Sequence, residues 1–212
     1  MIINPHKVTQ DFESVLGDYT ASPYVVAVDS CSSALFLSLK YENIANKKVS
    51  IPSRTYPSVP CEILHAGGKV SFEEMKDDFL CGAYQLKPTR VWDSALRFTR
   101  DMYIPNTLMC LSFTGPNKIL KLGKGGAILT DDKKAYEWLT RARYSGRRPK
   151  SYHDDHFDML GWNCYLLPEL AARGLLLMRQ FYDELGGKKR NDDVKMKYPD
   201  LSKFSIYTED SD

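Results

Sequence analysis

LMCLSFTGPNKILKLGKGGAILT, residues Leu108 to Thr130, decides how the chain is organised. The apolar run Leu108–Phe113 predicts a buried strand, and a second apolar run, Ala127–Leu129, closes the unit at Thr130. Between them lies a turn-rich loop, Thr114-Gly115-Pro116-Asn117, followed by Lys118 and then by Gly123, Gly125 and Gly126. Glycines give such a loop positive-φ freedom and close backbone approach. Its three lysines, Lys118, Lys121 and Lys124, have two readings. They are ordinary solvated side chains of a hairpin connection, or one of them is a reactive amine presented to a cofactor. The segments on either side must supply the remaining contacts if the second holds.

Upstream, the chain alternates strand and helix. After Pro5 a helix is expected to about Tyr19, with Val8, Phe12, Val15 and Leu16 on one face. Tyr24–Val28 is β-prone without polar alternation, as in a strand covered on both faces. Asp29-Ser30-Cys31-Ser32-Ser33 then leads into a helical pattern from Ala34 to Tyr41. A hydroxyl-rich turn at a helix N-terminus is either plain capping or an anion site using unpaired N–H groups and the helix dipole. The rhythm repeats: strand Lys48–Ile51, turn Pro52–Pro57, helix Ser58–Ala66, Gly67-Gly68, strand Lys69–Phe72. That is α/β logic with right-handed crossovers. Tyr56 sits just past a strand's carboxyl end, where open sheets place ligands; it is a core aromatic or a stacking platform. From Glu73 to Lys87 no clear period emerges. Thr89–Ala95 is β-like and carries Asp93, a turn cap or a carboxylate held for a cationic partner. Arg97 and Arg100 are surface ion-pair partners or contacts to an anionic substrate.

Downstream, Asp131-Asp132 caps a helix from Lys133 toward Tyr144. Arg141, Arg143, Arg147, Arg148 and Lys150 form a basic run, but Asp154, Asp155 and Asp158 follow and no nucleic-acid motif accompanies it. A loop crossing the site, or touching a second subunit, accounts for it better. Gly161-Trp162-Asn163-Cys164-Tyr165 leads into an apolar helix, Leu167 to about Leu185, which must be surrounded by its own sheet or another protomer. Gly186-Gly187 stops it, and the polar tail Lys188–Asp212 has too few apolar residues for a core. The domain expectation is therefore residues 1–187 as one α/β unit and 188–212 as a short extension.

Composition sets the outer bounds. Of 212 residues, 43% are hydrophobic and 26% charged, and the formal charge is only +2, which argues against nucleic acid or a membrane surface as partner. Four histidines without HExxH or clustering make a metal enzyme a poor fit. Five scattered cysteines, odd in number and without CxxC, suit reduced thiols in a cytoplasmic setting rather than a disulfide framework. The N-terminal stretch lacks a secretory apolar segment, and no run reaches membrane-spanning length.

Six short motifs, in order, then coincide: CSSAL (Cys31–Leu35), PSRTY (Pro52–Tyr56), DSA (Asp93–Ala95), SFTGPNK (Ser112–Lys118), GKGG (Gly123–Gly126) and GWNCYLLPELAA (Gly161–Ala172). Together they resemble the DegT/DnrJ/EryC1/StrS aminotransferases, the sugar-aminotransferase branch of the fold-type I pyridoxal-phosphate enzymes, over most of residues 5 to 185. The resemblance implies an α/β fold with a mostly parallel central sheet flanked by helices, like the family's large cofactor-binding domain. It implies pyridoxal 5'-phosphate as cofactor, Lys118 as the lysine that condenses with it, Asp93 as partner of the pyridinium nitrogen, and Tyr56 as the stacking ring. Ser32, Ser33 and Ser112 resemble the hydroxyls around the cofactor phosphate, and Asn163 the asparagine that family homodimers lend to the neighbouring protomer. The implied reaction moves an amino group from a glutamate-like donor to a keto-sugar nucleotide. A cofactor-binding or dimerising protein without turnover is an alternative, as is racemase or lyase chemistry. The chain departs from the family pattern in several places. Cys31 replaces a Gly, Leu96 replaces a polar residue, the spacer before Lys118 is one residue longer, Phe72–Val91 is shortened, and the usual C-terminal small domain is not expected here.

Overall fold

The structure, a computed structural model, describes residues 6–74, 82–185 and 198–208. Helix α1 (Lys7–Thr20) leads to strand β1 (Tyr24–Val28), then α2 (Cys31–Tyr41), β2 (Lys48–Pro52), α3 (Ser58–His65) and β3 (Lys69–Glu73). Strands β4 (Tyr84–Gln85), β5 (Val91–Asp93), β6 (Leu108–Ser112) and β7 (Gly126–Thr130) follow, then helices α4 (Lys133–Ala142) and α5 (Pro168–Leu185). The elements fall where apolar periodicity places them, with one addition. Strand β4 lies in the stretch without a readable period, because two residues cannot display one. The boundary expected at 187/188 and the Gly186-Gly187 helix stop lie outside the described residues.

A five-stranded sheet runs in the order β1-β7-β6-β5-β4, and β2 and β3 pair as a separate parallel ribbon. Reciprocal backbone bonds between Ser50 and Lys87, 2.8 and 3.1 Å, join that ribbon to the β4 side. The sheet is mixed, which corrects the mostly parallel arrangement expected from sequence. Only β5 and β6 pair in parallel within it; β1–β7, β7–β6 and β4–β5 are antiparallel. Two connections that fold straight back account for the antiparallel pairs. The lysine loop returns β7 directly alongside β6, and the chain between Gln85 and Val91 folds back tightly where a crossover helix would have been needed to keep β4 and β5 parallel.

Side chains alternate across the sheet into two cores. On one face Val26, Val28, Val91, Leu108, Cys110 and Ile128 pack with α2, α3 and α4. On the other, Val25, Ala27, Met109, Leu111, Ala127 and Leu129 pack with α1 and α5. Helix α5 approaches α1 closely at Gly174, where an added Cβ would stand 2.5 Å from the Phe12 ring. Its opposite side is open, with Leu176 exposed.

Strand β1 is an edge strand, and its outer backbone is closed by side chains. Glu13 from α1 accepts the Ala27 N–H at 2.7 Å, and Arg143 donates to the Ala27 carbonyl at 2.6 Å while pairing with Glu13. Arg143 is 4% exposed. It is therefore not available as a substrate contact. The other basic residues are also engaged. Arg141 and Arg148 share Asp158, Arg148 also meets Asp155, and Arg147 stacks on Tyr152 at 3.8 Å. Arg100 lies over the Tyr19 ring at 5.7 Å.

Removing one member of a buried ion pair strands the other in low dielectric. Arg143→Ala is expected to cost about 3–5 kcal/mol in chemical denaturation. The double variant Glu13→Gln/Arg143→Met should recover a large part of it. A single variant within about 1 kcal/mol of wild type would show that the pair carries no structural weight.

Candidate functional site

The site is assembled at the carboxyl ends of β1, β2, β5 and β6, on the face covered by α2 and α3. Each contributing loop is fixed by backbone geometry. Ser30 caps α2, its hydroxyl accepting from the Ser33 N–H at 3.1 Å. The same turn is pressed onto the start of β7. A Cβ at Gly126 would stand 2.5–2.7 Å from Ser30 and Cys31 backbone atoms, so only glycine fits there. The lysine loop is pinned at its base. Phe113 N–H donates to Gly125 O at 2.9 Å, and the Gly125 N–H donates to the Thr114 hydroxyl at 3.2 Å. Gly115, Gly123 and Gly125 supply positive φ of 102°, 87° and 142° between these ties.

From that loop Lys118 reaches back across the sheet end. Its Nζ donates to the Ala95 carbonyl at 2.6 Å, and the Ala95 N–H donates to Asp93 Oδ1 at 2.9 Å. Lysine and carboxylate, 25 positions apart in sequence, thus meet around one residue. Burial lowers the amine from its ordinary value, against the opposing pull of Cys31 and Asp93. A larger share is then the neutral, nucleophilic form. Asp93 is 6% exposed. Burial raises its carboxyl, opposed by the Ala95 N–H, the Tyr84 hydroxyl and Lys118.

Tyr84 is the site residue that sequence reasoning missed. Its hydroxyl donates to Asp93 Oδ2 at 3.0 Å and also bonds the Thr55 hydroxyl. A strand of two residues left no pattern to mark it; Thr55, inside the PSRTY motif, was the nearer signal. The serines divide. Ser32 donates to the Ser58 hydroxyl at 2.8 Å, tying the starts of α2 and α3 together. The Ser33 hydroxyl turns to Asp29 Oδ1 at 2.6 Å, so its proton serves the cap. Ser112 is half-buried and accepts a long bond from Thr114 N at 3.4 Å. Tyr56, 54% exposed, lies edge-on to Tyr198 with centroids 6.0 Å apart. Asn163 stands apart from Lys118 and Asp93. It is exposed on a segment running antiparallel to the end of β1, bridged to Tyr144. Lys121 and Lys124 are exposed, Lys124 lying 3.9 Å from Asp29.

Residues 1–91 match the DegT/DnrJ/EryC1/StrS aminotransferase family. No curated protein sequence matches the chain. Solved structures with the same fold include DesV of S. venezuelae, with a TM-score of 0.68 and 21% identity over 83% of this chain and 57% of that one. The sugar aminotransferase CalS13 of Micromonospora echinospora matches with a TM-score of 0.68 and 18% identity, over 84% of this chain and 61% of its own. A Streptococcus pneumoniae protein provisionally assigned as a sugar aminotransferase, in its PLP form, matches at 0.68 and 18%, over 83% and 60%. The chain thus spans about three-fifths of the length of these relatives. The α/β fold of PLP-dependent aminotransferases is the fold of this chain.

The donor set suits the family's cofactor. Asp93 Oδ1 accepts from the Ala95 N–H and Oδ2 from the Tyr84 hydroxyl, and a carboxylate has about four acceptor positions. Room remains for a ring N–H. The Lys118 amine lies beside the same carboxylate, and Cys31, at the first turn of α2, is in the field of both. No group of three or more His, Cys, Asp or Glu able to hold a metal occurs among the described residues.

Because the Asp93 carboxyl titrates higher in the fold than in the unfolded chain, stability falls as pH rises from its ordinary 3.8 through the raised value, then levels off. Asp93→Asn removes that fall. The variant's melting temperature is expected to gain on wild type across that window and to equal or exceed it at neutral pH. A gain that shrinks with rising pH would contradict the burial cost assigned to this carboxylate.

Proposed function

We propose that this chain binds pyridoxal phosphate and transfers an amino group from a glutamate-like amino acid to a keto-sugar carried on a nucleotide. The observation that carries the proposal is the Lys118–Ala95–Asp93 linkage, which sets a partly desolvated amine beside a buried carboxylate. Pyridoxal phosphate, when bound, supplies an aldehyde and an electron-withdrawing ring. With that group bound, Lys118 would supply the amine that holds its aldehyde and the base that moves a proton at the substrate carbon. Its hydrogen bond to the Ala95 carbonyl keeps it over the site between those steps. Asp93 holds positive charge on the ring nitrogen, and Tyr84, by donating to the same carboxylate, favours its ionised form against burial. Tyr56 stacks on the ring. The N-terminal turn of α2, with Ser32 and Ser112, receives the phosphate through N–H groups and the positive dipole end. Asn163 reaches the site of a second protomer, so the working form is a homodimer. The open side of α5 and exposed Leu160 and Leu167 near Asn163 agree with a covered interface. A cytoplasmic location, and a homodimer with neither nucleic acid nor membrane as partner, complete the proposal; among the described residues no helix is long and apolar enough to cross a membrane.

A second possibility, cofactor binding without turnover, is favoured by Ser33, whose hydroxyl is committed to Asp29, and by Leu96 in place of a polar residue beside Asp93.

Protein incubated with pyridoxal phosphate and reduced with borohydride should carry the adduct on Lys118, and Lys118→Ala should lose it. An adduct on Lys121 or Lys124 would overturn the lysine assignment. Glutamate added to the loaded protein should shift the cofactor absorbance to that of the aminated form. No shift with any amino acid would select binding without turnover. Sedimentation at micromolar concentration should give a dimer; a monomer would remove the role given to Asn163.

A further inference from the structure

We propose that the segment Tyr198–Tyr207 forms the outer wall of the site, with Tyr198 as a ligand-facing residue opposite Tyr56. Three contacts hold the segment in place. The Leu201 N–H donates to the Ser53 carbonyl at 2.8 Å, and Arg54 donates to the Tyr198 carbonyl at 3.2 Å. The Leu201 side chain is 2% exposed, and Tyr207 meets Phe72 edge-on at 6.4 Å. All three partners, Ser53, Arg54 and Phe72, belong to the ribbon of β2 and β3 and the turn after β2, the unit that also carries Tyr56.

This anchorage brings Tyr198 inward. Burial pushes its phenol up to about 12, with Asp93, Tyr56 and Cys31 adding to the shift. Asp93 and Cys31 are the neighbours of Lys118 in the site. Tyr198 is thus within the field of those neighbours while packing against the Tyr56 ring. Two rings meeting at 74° make a corner, offering one face to stack on and one edge to abut. That corner suits a flat heteroaromatic ring with substituents at its rim. The wall deepens the cofactor proposal above and rests on it for the identity of the ligand.

The test is pyridoxal phosphate affinity, read by absorbance titration and confirmed by mass spectrometry of the borohydride adduct on Lys118. Tyr198→Ala should weaken binding about tenfold, the upper end of what an aromatic contact contributes. Tyr198→Phe should stay within about twofold, since the ring carries the contact. Leu201→Ala, which loosens the segment without touching ligand, should follow Tyr198→Ala. Affinity that is unchanged or tighter in Tyr198→Ala overturns the wall, and a tighter value would mark the segment as a competitor for the cavity. If wild type gives no Lys118 adduct, the cofactor proposal fails by itself, and the wall is judged on ligand-free protein. Alkylation of Cys31 by iodoacetamide, followed by peptide mass spectrometry, should then be faster in Tyr198→Ala than in wild type. Equal rates would overturn it.

Discussion

The exposed edge of β1 is the constraint on which the rest of the molecule depends. A strand at the side of a sheet presents unpaired N–H and C=O groups that either find partners or invite another chain. Here Ala27 is satisfied on that side by Glu13 and Arg143, and farther along Asp29 N–H donates to the Cys164 carbonyl at 2.9 Å. One helix, one arginine past the end of α4 and the run before α5 are thereby locked to Ala27 of the strand and to Asp29 just beyond it. Because β1 leads straight into the Asp29–Ser33 turn, the same closure fixes where α2 starts. The turn at the start of α2 inherits its position from an ion pair on the far side of the strand.

Buried polar groups are expensive unless paired, and this chain places them in two different states. In the Glu13–Arg143 pair each charge meets the other and Ala27. Asp93 is buried to a similar degree but balanced by neutral donors and a lysine, so its carboxyl is held above its ordinary range. Thr55, Tyr84 and Asp93 form a short hydroxyl-to-carboxylate relay that fixes the carboxylate's orientation. An uncompensated carboxylate costs stability, and a cationic ring nitrogen would relieve that cost on binding. Structural and site roles are thus separable by electrostatics alone, although both sets of residues are buried.

The long elements were legible because each carries a full period. α1, α2, α4, α5 and the strands β1, β2, β3, β6 and β7 lie where apolar spacing and turn residues put them. Lys118 and Asp93 were legible as candidates from their places beside strand ends, though only the fold brings them to one residue, Ala95. Strand order was not. Repeated strand–helix–strand units suggest parallel pairing, but β4 and β7 reach their partners through tight returns, and sequence does not say which connection folds back. Tyr84 was invisible for the related reason that a two-residue strand displays no alternation. Arg143 sat in a basic run that looks solvated, and its burial depends on Glu13, 130 positions away. Tyr198 lay in a tail whose few aromatics signal anchoring without saying where.

The sheet has a seam. Lys118, Asp93 and the start of α2 ride on the five-stranded part, whereas Tyr56, Ser58 and the Tyr198 segment ride on the two-stranded ribbon. The two halves meet through the Ser50–Lys87 backbone pair, the Thr55–Tyr84 hydroxyls and the Ser32–Ser58 hydroxyls, with α2 packed against α3. A cleft built across such a join behaves as a pair of jaws. A tilt of the ribbon would change the gap between the amine on one jaw and the aromatic corner on the other, and the core that α2 and α3 share with both sheets resists it.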